Sequence, residues 1–120
     1  MALNDRGYFW ESQEVLEAVW AAAPQGGRER ILLRACIHIA NANLRLRMQR
    51  PHSAARLFGD ALAELRILNS RKGAAAGDGF VESFPVAPLV TLLQIALGRP
   101  QLSKADWIAL GATARPRQAP

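Results

Sequence analysis

Cysteine is almost absent from this sequence: Cys36 is the only one in 120 residues, so no disulfide can form within the chain. Cys36 stands among Ala35, Ile37 and Ile39, and these apolar neighbours favour a buried, unreactive thiol. Long apolar runs are absent too, since none approaches the roughly 18 residues that cross a bilayer. The first residues are polar and charged where a signal peptide requires an apolar stretch. We therefore expect a cytoplasmic protein without a membrane-spanning segment.

Histidine is scarce, and the two that occur do not have the spacing of known metal sites. Neither His38 nor His52 has a glutamate three residues before it, as carboxylate-bridged di-metal bundles require. The sequence also lacks the His-Glu-x-x-His pattern of zinc proteases and any glycine-rich phosphate-binding loop. We therefore predict neither a metal ligand set nor a cofactor.

Lysine is the third scarce residue, with two lysines beside 13 arginines in a chain of net charge +5. A basic chain binds nucleic acid by releasing counterions from the phosphates, provided that its basic side chains cluster. The densest group is Arg45, Arg47, Arg50 and Arg56. On a helix these side chains point in several directions, and no aromatic residue is interleaved among them. A solvent-exposed face is the favoured interpretation, and nucleic-acid binding through these arginines is kept as a weaker alternative.

The composition is that of a folded domain. Half of the residues are hydrophobic and 21% are charged, unlike the composition of disordered chains. A length of 120 residues is close to the commonest domain size. We predict a single helical domain over residues 1–110, with a flexible loop at residues 70–79, which is rich in glycine and alanine, and a disordered tail at residues 111–120.

Apolar residues recur every three or four positions in four stretches, which predicts four main helices. They span about residues 8–22, 28–49, 52–69 and 86–97. Pro51 and Gly98 interrupt the periodic stretches, because proline lacks an amide hydrogen and glycine tolerates a helix exit. Ser103 and Asp106 have the spacing of a helix cap and predict one further short turn. Because no strand-like alternation competes and the first linkers are short, the predicted fold class is all-α, a small up-and-down bundle.

The segment from Tyr8 to Trp20 places two tryptophans and three glutamates on one predicted helix. This pattern resembles the hallmark of the family catalogued as domain of unknown function 309. The residues that match it are Gly7, Trp10, Glu11, Ser12, Gln13, Glu14, Leu16, Glu17 and Trp20. Gln13 stands where the family usually has histidine, and weaker matches at residues 35–42 and 53–65 extend the resemblance to about residue 97. The resemblance implies an all-helical fold and assigns no activity.

Polar side chains on the first two predicted helices suggest a network between them. Antiparallel packing can bring Glu14 and Glu17 against Arg34 and His38 on the second helix. The predicted network comprises Gln13, Glu17, His38 and Asn41, with Glu11 and Glu14 as the further acidic residues of the motif. The favoured interpretation is a structural contact, because buried polar groups satisfy one another. The alternative is a small-ligand pocket or a hydrolase site with Glu14, Glu17 and His38 as candidate catalytic residues.

Aromatic residues give the first predicted helix more apolar surface than one neighbouring helix can cover. They are Tyr8, Trp10 and Trp20. Either the fourth helix covers this surface or a partner does. We therefore predict a non-enzymatic interaction module, with a possible homodimer formed through the first or the fourth helix. Which protein partner it binds, if any, the sequence does not show.

Overall fold

The computed structural model describes residues 2–70 and 79–111, and in these ranges the chain forms helices and no β-strand. The elements are α1 (Ala2–Asp5), α2 (Phe9–Ala22), α3 (Arg28–Arg47), α4 (Pro51–Ser70), α5 (Gly79–Ser83), α6 (Val86–Leu97) and a 3₁₀-helix (Lys104–Asp106). The predicted all-α bundle of four main helices is confirmed. The predicted flexible loop at 70–79 and the predicted tail at 111–120 lie largely outside the described residues.

The core of the bundle lies mainly between α3 and α4, which form the most extensive helix pair. The α2 helix packs on α3 and on the short α1, whereas α6 packs on α4. The largest side chains buried in this core include Leu32, Ile39, Phe58, Leu65, Leu89 and Leu93. Among the described elements, α6 is therefore not the main cover for α2, and one side of α2 stays open.

The turn between α3 and α4 shows why α3 is shorter than predicted. The helix ends at Arg47, and Gln49 adopts a left-handed backbone with a φ of 60°. The Arg50 amide then donates to the Arg45 carbonyl at 2.8 Å. This is the hydrogen bond of a Schellman cap, which stops a helix while satisfying its last carbonyls. Pro51 follows as the first residue of α4, a position that needs no amide hydrogen.

The predicted turn after Ser103 is confirmed as the 3₁₀-helix. The Ser103 amide donates to the Asp106 carboxylate at 2.8 Å, and the Ser103 hydroxyl accepts from the Ala105 amide at 3.3 Å. Arg99 Nε adds an ion pair to Asp106 at 3.0 Å. These contacts position the segment that follows, residues 107–111.

A buried amide on α3 binds this C-terminal segment. Asn43 Nδ2 donates to the Ile108 carbonyl at 2.8 Å, and Asn43 Oδ1 accepts from the Ile108 amide at 2.8 Å. Asn43 Nδ2 also donates to Asn4 Oδ1 at 2.8 Å, and Asn4 Nδ2 donates to the Ile108 carbonyl at 3.1 Å. Asn4 and Asn43 are both fully buried. The two amides therefore join α1, α3 and the C-terminal segment.

Asp5, the residue after Asn4, extends the same contact to Leu110 and Gly111. Its Oδ1 accepts from the Leu110 amide at 2.6 Å, and its Oδ2 accepts from the Gly111 amide at 2.9 Å. We call Asn4, Asp5 and Asn43, together with the backbone of residues 108–111 that they bind, the terminal clasp. Sequence analysis missed it, because a segment without helical periodicity gives no pairing signal.

Burial determines the chemistry of the single thiol. Cys36 lies in the core without solvent exposure. Burial disfavours the thiolate and raises the pKa of Cys36 from its ordinary value of 9.0 to about 12.

Replacing Asn43 by alanine should destabilise the chain by about 2–4 kcal/mol, because the Ile108 amide and carbonyl would lose buried partners. Asn41→Ala is the matched control, since Asn41 lies on the same helix and its Oδ1 accepts from Arg45 Nε within that helix. Urea unfolding followed by circular dichroism measures both variants. Equal stability losses in the two variants would contradict the importance of the clasp.

The raised pKa of Cys36 predicts a loss of stability at alkaline pH. The folded state keeps the thiol protonated, so this contribution is complete below pH 9.0 and is lost as pH rises towards 12. Over this window the free energy of unfolding should fall further in wild type than in Cys36→Ala, by up to about 4 kcal/mol. Parallel urea titrations at several pH values test this, and identical pH profiles would refute it.

Candidate functional site

The predicted polar residues of α2 and α3 meet at an open cleft. Its volume is about 310 Å³. We call it the Trp20 cleft, and its lining residues are Glu17, Trp20, Ala21, Arg34, Ile37 and His38. Two of the three candidate catalytic residues, Glu17 and His38, therefore line one depression, whereas Glu14 is not among its lining residues.

The partner of His38 differs from the one expected. His38 Nδ1 lies 2.8 Å from Glu64 Oε1 on α4, where the predicted network had Glu17 on α2. Glu64 Oε2 also pairs with Arg34 Nε at 3.1 Å. Arg34 and His38 are four residues apart on α3 and thus share one face, which here is turned towards α4. Sequence analysis missed Glu64, although its position on α4 beside the buried Leu65 was a usable signal.

Glu17 is exposed, and this corrects the expectation that it is buried. The buried residues of α2 are Phe9, Ser12 and Leu16. Each residue turns a helix by about 100°, so Glu17 lies on the flank beside Leu16. Glu11 and Glu14 are exposed as well. The acidic residues of the motif therefore lie at the surface, where water solvates their charge.

Gln13 and Asn41 do not complete the expected network. Gln13 Oε1 is buried and has no hydrogen-bond partner among the described residues, and the same holds for Ser12 Oγ. Asn41 Oδ1 accepts from Arg45 Nε at 3.3 Å, a contact within α3. The polar pairing between α2 and α3 that the sequence suggested is thus replaced by pairing between α3 and α4.

Trp20 forms the apolar wall of the cleft and is covered by arginine. The guanidinium carbon of Arg30 lies 3.9 Å from the centroid of the Trp20 ring, and that of Arg34 lies 5.7 Å from it. A cation over an indole face gains about 0.5–1 kcal/mol at an exposed site. Arg34 contacts both Glu64 and Trp20, so its guanidinium lies at the rim of the cleft.

Proton transfer is the chemistry that this arrangement offers. Glu64 orients the His38 ring, and the Glu17 carboxylate lines the same cleft. The lining residues include no serine, threonine or cysteine that could act as a nucleophile. Within residues 2–70 and 79–111, no group of three or more His, Cys, Asp or Glu side chains is placed to hold a metal ion.

Two of the three predicted core or interface aromatics, Tyr8 and Trp10, lie at the surface, whereas Trp20 is partly buried. Tyr8 is 54% exposed and Trp10 is 56% exposed. Tyr8 belongs to a stripe with Val15, Val19 and Ala22, because offsets of 0, 7, 11 and 14 fall on one side of a helix. All four residues are exposed, and we call them the outer stripe of α2. Trp10 lies about half a turn away from this stripe.

The four arginines of the weaker nucleic-acid alternative do not act as a group. Arg45 binds Asn41, and Arg47 Nη2 donates to the Gly7 carbonyl. The Arg47 guanidinium also lies 4.4 Å above the Phe9 ring. Arg50 and Arg56 are exposed. Two of the four thus serve contacts within the chain.

Membrane crossing requires a helix that is both long and apolar. None of the helices within residues 2–70 and 79–111 combines the length and the apolar content that a bilayer span requires.

A protein-family model matches the N-terminal part of the chain. It is described as Domain of unknown function (DUF309), and the match covers residues 1–57. The predicted family is thereby confirmed over α1, α2, α3 and the start of α4. The place of Gln13 in the family motif and the resemblance beyond residue 57 stay predictions. No curated protein and no solved structure matches the chain.

Replacing Glu64 by glutamine should lower the free energy of unfolding by about 1–2 kcal/mol, because a largely buried charged partner of His38 is lost. The side chains of Glu64 and His38 are only 17% and 20% exposed, whereas the half-exposed Arg34 adds little. Glu17→Gln is the matched control and should change stability by less than about 0.5 kcal/mol. Thermal and urea unfolding distinguish the two. A larger loss of unfolding free energy in Glu17→Gln than in Glu64→Gln would support the predicted pairing of His38 with Glu17 instead.

Proposed function

Because residues 1–57 belong to the family described as Domain of unknown function (DUF309), a description that gives no activity, we propose a function from the surface of this chain. The protein is a non-enzymatic interaction module of the cytoplasm. It self-associates through the outer stripe of α2. The observation that supports this proposal is a helix that packs on α3 and α1 and still exposes a row of apolar side chains.

The outer stripe has the chemistry of an interface centre. Val15 and Val19 are one turn apart, and each is about half exposed. Tyr8, at the N-terminal end of the stripe, supplies a large amphipathic ring of the kind enriched in interfaces. Contiguous exposed apolar surface of this kind marks interaction sites, because water gains freedom when a partner covers it.

A second copy is the partner that fits this stripe. In an antiparallel pair about a two-fold axis, Val15 of one copy meets Val19 of the other, so the two valines at the centre of the stripe find apolar partners. Glu11 then lies opposite the C-terminal end of the partner helix, away from the partner's own Glu11. Glu11 thus belongs to the polar rim of the apolar centre, and the two Glu11 carboxylates are kept apart.

Val19→Glu should weaken self-association at least tenfold, because it places a charge at the centre of the apolar contact, and tenfold corresponds to about 1.4 kcal/mol. Sedimentation equilibrium over a range of chain concentrations gives the dissociation constant. Ile67→Glu on α4 is the matched control, since Ile67 is 45% exposed and Val19 is 47% exposed. A dissociation constant of Val19→Glu equal to that of wild type would disprove the proposed interface.

The fourth main helix provides the competing interface. Ile95 on α6 is 53% exposed, and Leu97 on the same helix is also exposed. These two residues are separated by two positions, so they do not form a continuous stripe. Loss of self-association in Ile95→Glu, with none in Val19→Glu, would place the interface on α6.

The Trp20 cleft supports a second candidate function, the binding of a small molecule. Its volume of about 310 Å³ and its indole wall are those of a small binding site. Glu17 and His38 would bind a polar group of the ligand. Compounds that raise the melting temperature of wild type should do so less in Glu17→Gln and equally in Glu14→Gln, because Glu14 does not line the cleft. If every compound shifts the melting temperatures of wild type and Glu17→Gln equally, ligand binding in this cleft is ruled out.

A further inference from the structure

The C-terminal segment is bound through its backbone, as a peptide ligand would be bound. Residues 107–111 contain no helix or strand, and they follow the 3₁₀-helix directly. Asn43 holds both the amide and the carbonyl of Ile108 at 2.8 Å, and Asp5 accepts from the amides of Leu110 and Gly111. Pairing of one side-chain amide with both polar groups of a residue fixes an extended backbone in place. Such contacts recognise a peptide backbone and not a packed helix.

Side chains of the segment supply the apolar part of this recognition. Ile108, Ala109 and Leu110 are all buried. The ring of Trp107 lies 5.7 Å from the ring of Phe9 at an angle of 48°, a favourable tilted aromatic contact. The segment therefore has the two components of peptide recognition, backbone hydrogen bonds and side chains seated against the receptor.

From these contacts we propose that α1, α3 and the start of α2 form a peptide-binding groove, and that residues 107–111 of a second copy can occupy it in place of the chain's own. The occupying sequence is Trp-Ile-Ala-Leu-Gly, the sequence of residues 107–111. The chain's own segment blocks the groove in the monomer. Exchange between copies yields a dimer in which each groove holds the partner's segment.

A second copy fits because it carries the identical segment and reproduces every contact. Residues 98–101, which follow α6, are exposed and supply the hinge of the exchange, whereas the buried Leu102 moves with the segment. Exchange of an identical element costs little beyond the entropy of association, since the same bonds re-form. A depression of about 300 Å³ lies beside Asp5, Asn43 and Trp107 and gives solvent access to the edge of the clasp.

The groove is separate from the outer stripe of α2. Its hydrogen-bonding residues are Asn4, Asp5 and Asn43, and the stripe contributes none of them. Either proposal can therefore fail without the other.

Peptide binding to the full chain tests the groove. The probe is a fluorescent, amidated peptide with the sequence of residues 102–111. The receptor is the full chain with Ile108→Pro and Leu110→Pro, which removes two of the amides bound by Asn43 and Asp5 and leaves the groove residues unchanged. Fluorescence polarisation should show binding at least about tenfold tighter than to wild type, where the chain's own segment competes at high effective concentration.

Two further variants of that receptor identify the bound site. Adding Asn43→Ala should abolish binding, whereas adding Asn41→Ala should leave it unchanged. A peptide that carries the two prolines is the matched negative probe. No binding to a receptor with wild-type circular dichroism, or binding that Asn43→Ala does not affect, would overturn the proposal.

Mixing two variants, one with a defective groove and one with a defective segment, tests whether the segment of a second copy occupies the groove. One chain carries Asn43→Ala and keeps its segment, the other carries Ile108→Pro and Leu110→Pro and keeps its groove, and both carry Val19→Glu to remove the α2 contact. Light scattering should detect a two-chain complex in the mixture and only monomers in each chain alone. A monomeric mixture would overturn exchange between copies, even if the free peptide binds.

A measurement on wild type covers the case in which the proline variant does not fold. The same peptide, with a photoreactive phenylalanine at the position of Trp107, is irradiated with the wild-type chain at high peptide excess. Cross-links within residues 4–9 or 43–47, suppressed by unlabelled peptide, would support the groove. Their absence from both ranges would overturn it.

Discussion

The paired hydrogen bonds between the Asn43 side chain and the Ile108 backbone are the constraint on which the arrangement of this chain depends. Asn43 sits on α3, the helix that packs against both α2 and α4, so a residue fixed to Asn43 is fixed to the whole bundle. Through Asn4 the same amide also holds α1. An unpaired buried amide costs more than its hydrogen bonds return, so the contacts tend to form together.

The position of α2 at the edge of the bundle determines which surfaces are open to partners. One side of α2 packs on α3, and the two flanks beside that contact remain accessible. The outer stripe occupies one flank, and Glu17 with the Trp20 cleft occupies the other. Glu64 on α4 pairs with Arg34 and His38 on α3. The basic side chains that line the cleft are therefore bound to α4. Both proposed binding surfaces thus lie on a helix that the fold leaves partly uncovered.

The helices could be predicted from the sequence because their signals are local: apolar periodicity, proline, glycine and cap residues. Side-chain pairing could be predicted less well. The rotation of α3 between two neighbours decides whether His38 meets α2 or α4, and periodicity does not fix which neighbour a polar edge faces. The clasp joins Asn43 to a segment 65 residues away that has no periodicity. One clue was available, since Asn43 follows Cys36 by seven residues and so stands in the buried row of α3. A polar residue in an apolar row requires a partner, but the sequence does not name it.

The sequence separation that the terminal clasp spans has a consequence for folding during synthesis. Asn4 and Asp5 leave the ribosome more than a hundred residues before their partners at 108–111. Until then α1 lacks the backbone groups that anchor it, although α2, α3 and α4 already possess their apolar faces. The part recognised as a family, residues 1–57, is therefore smaller than the unit that must be synthesised before the native state can close. A nascent chain halted before residue 108 would leave Asn4, Asp5 and Asn43 without the backbone groups that they bind in the native state.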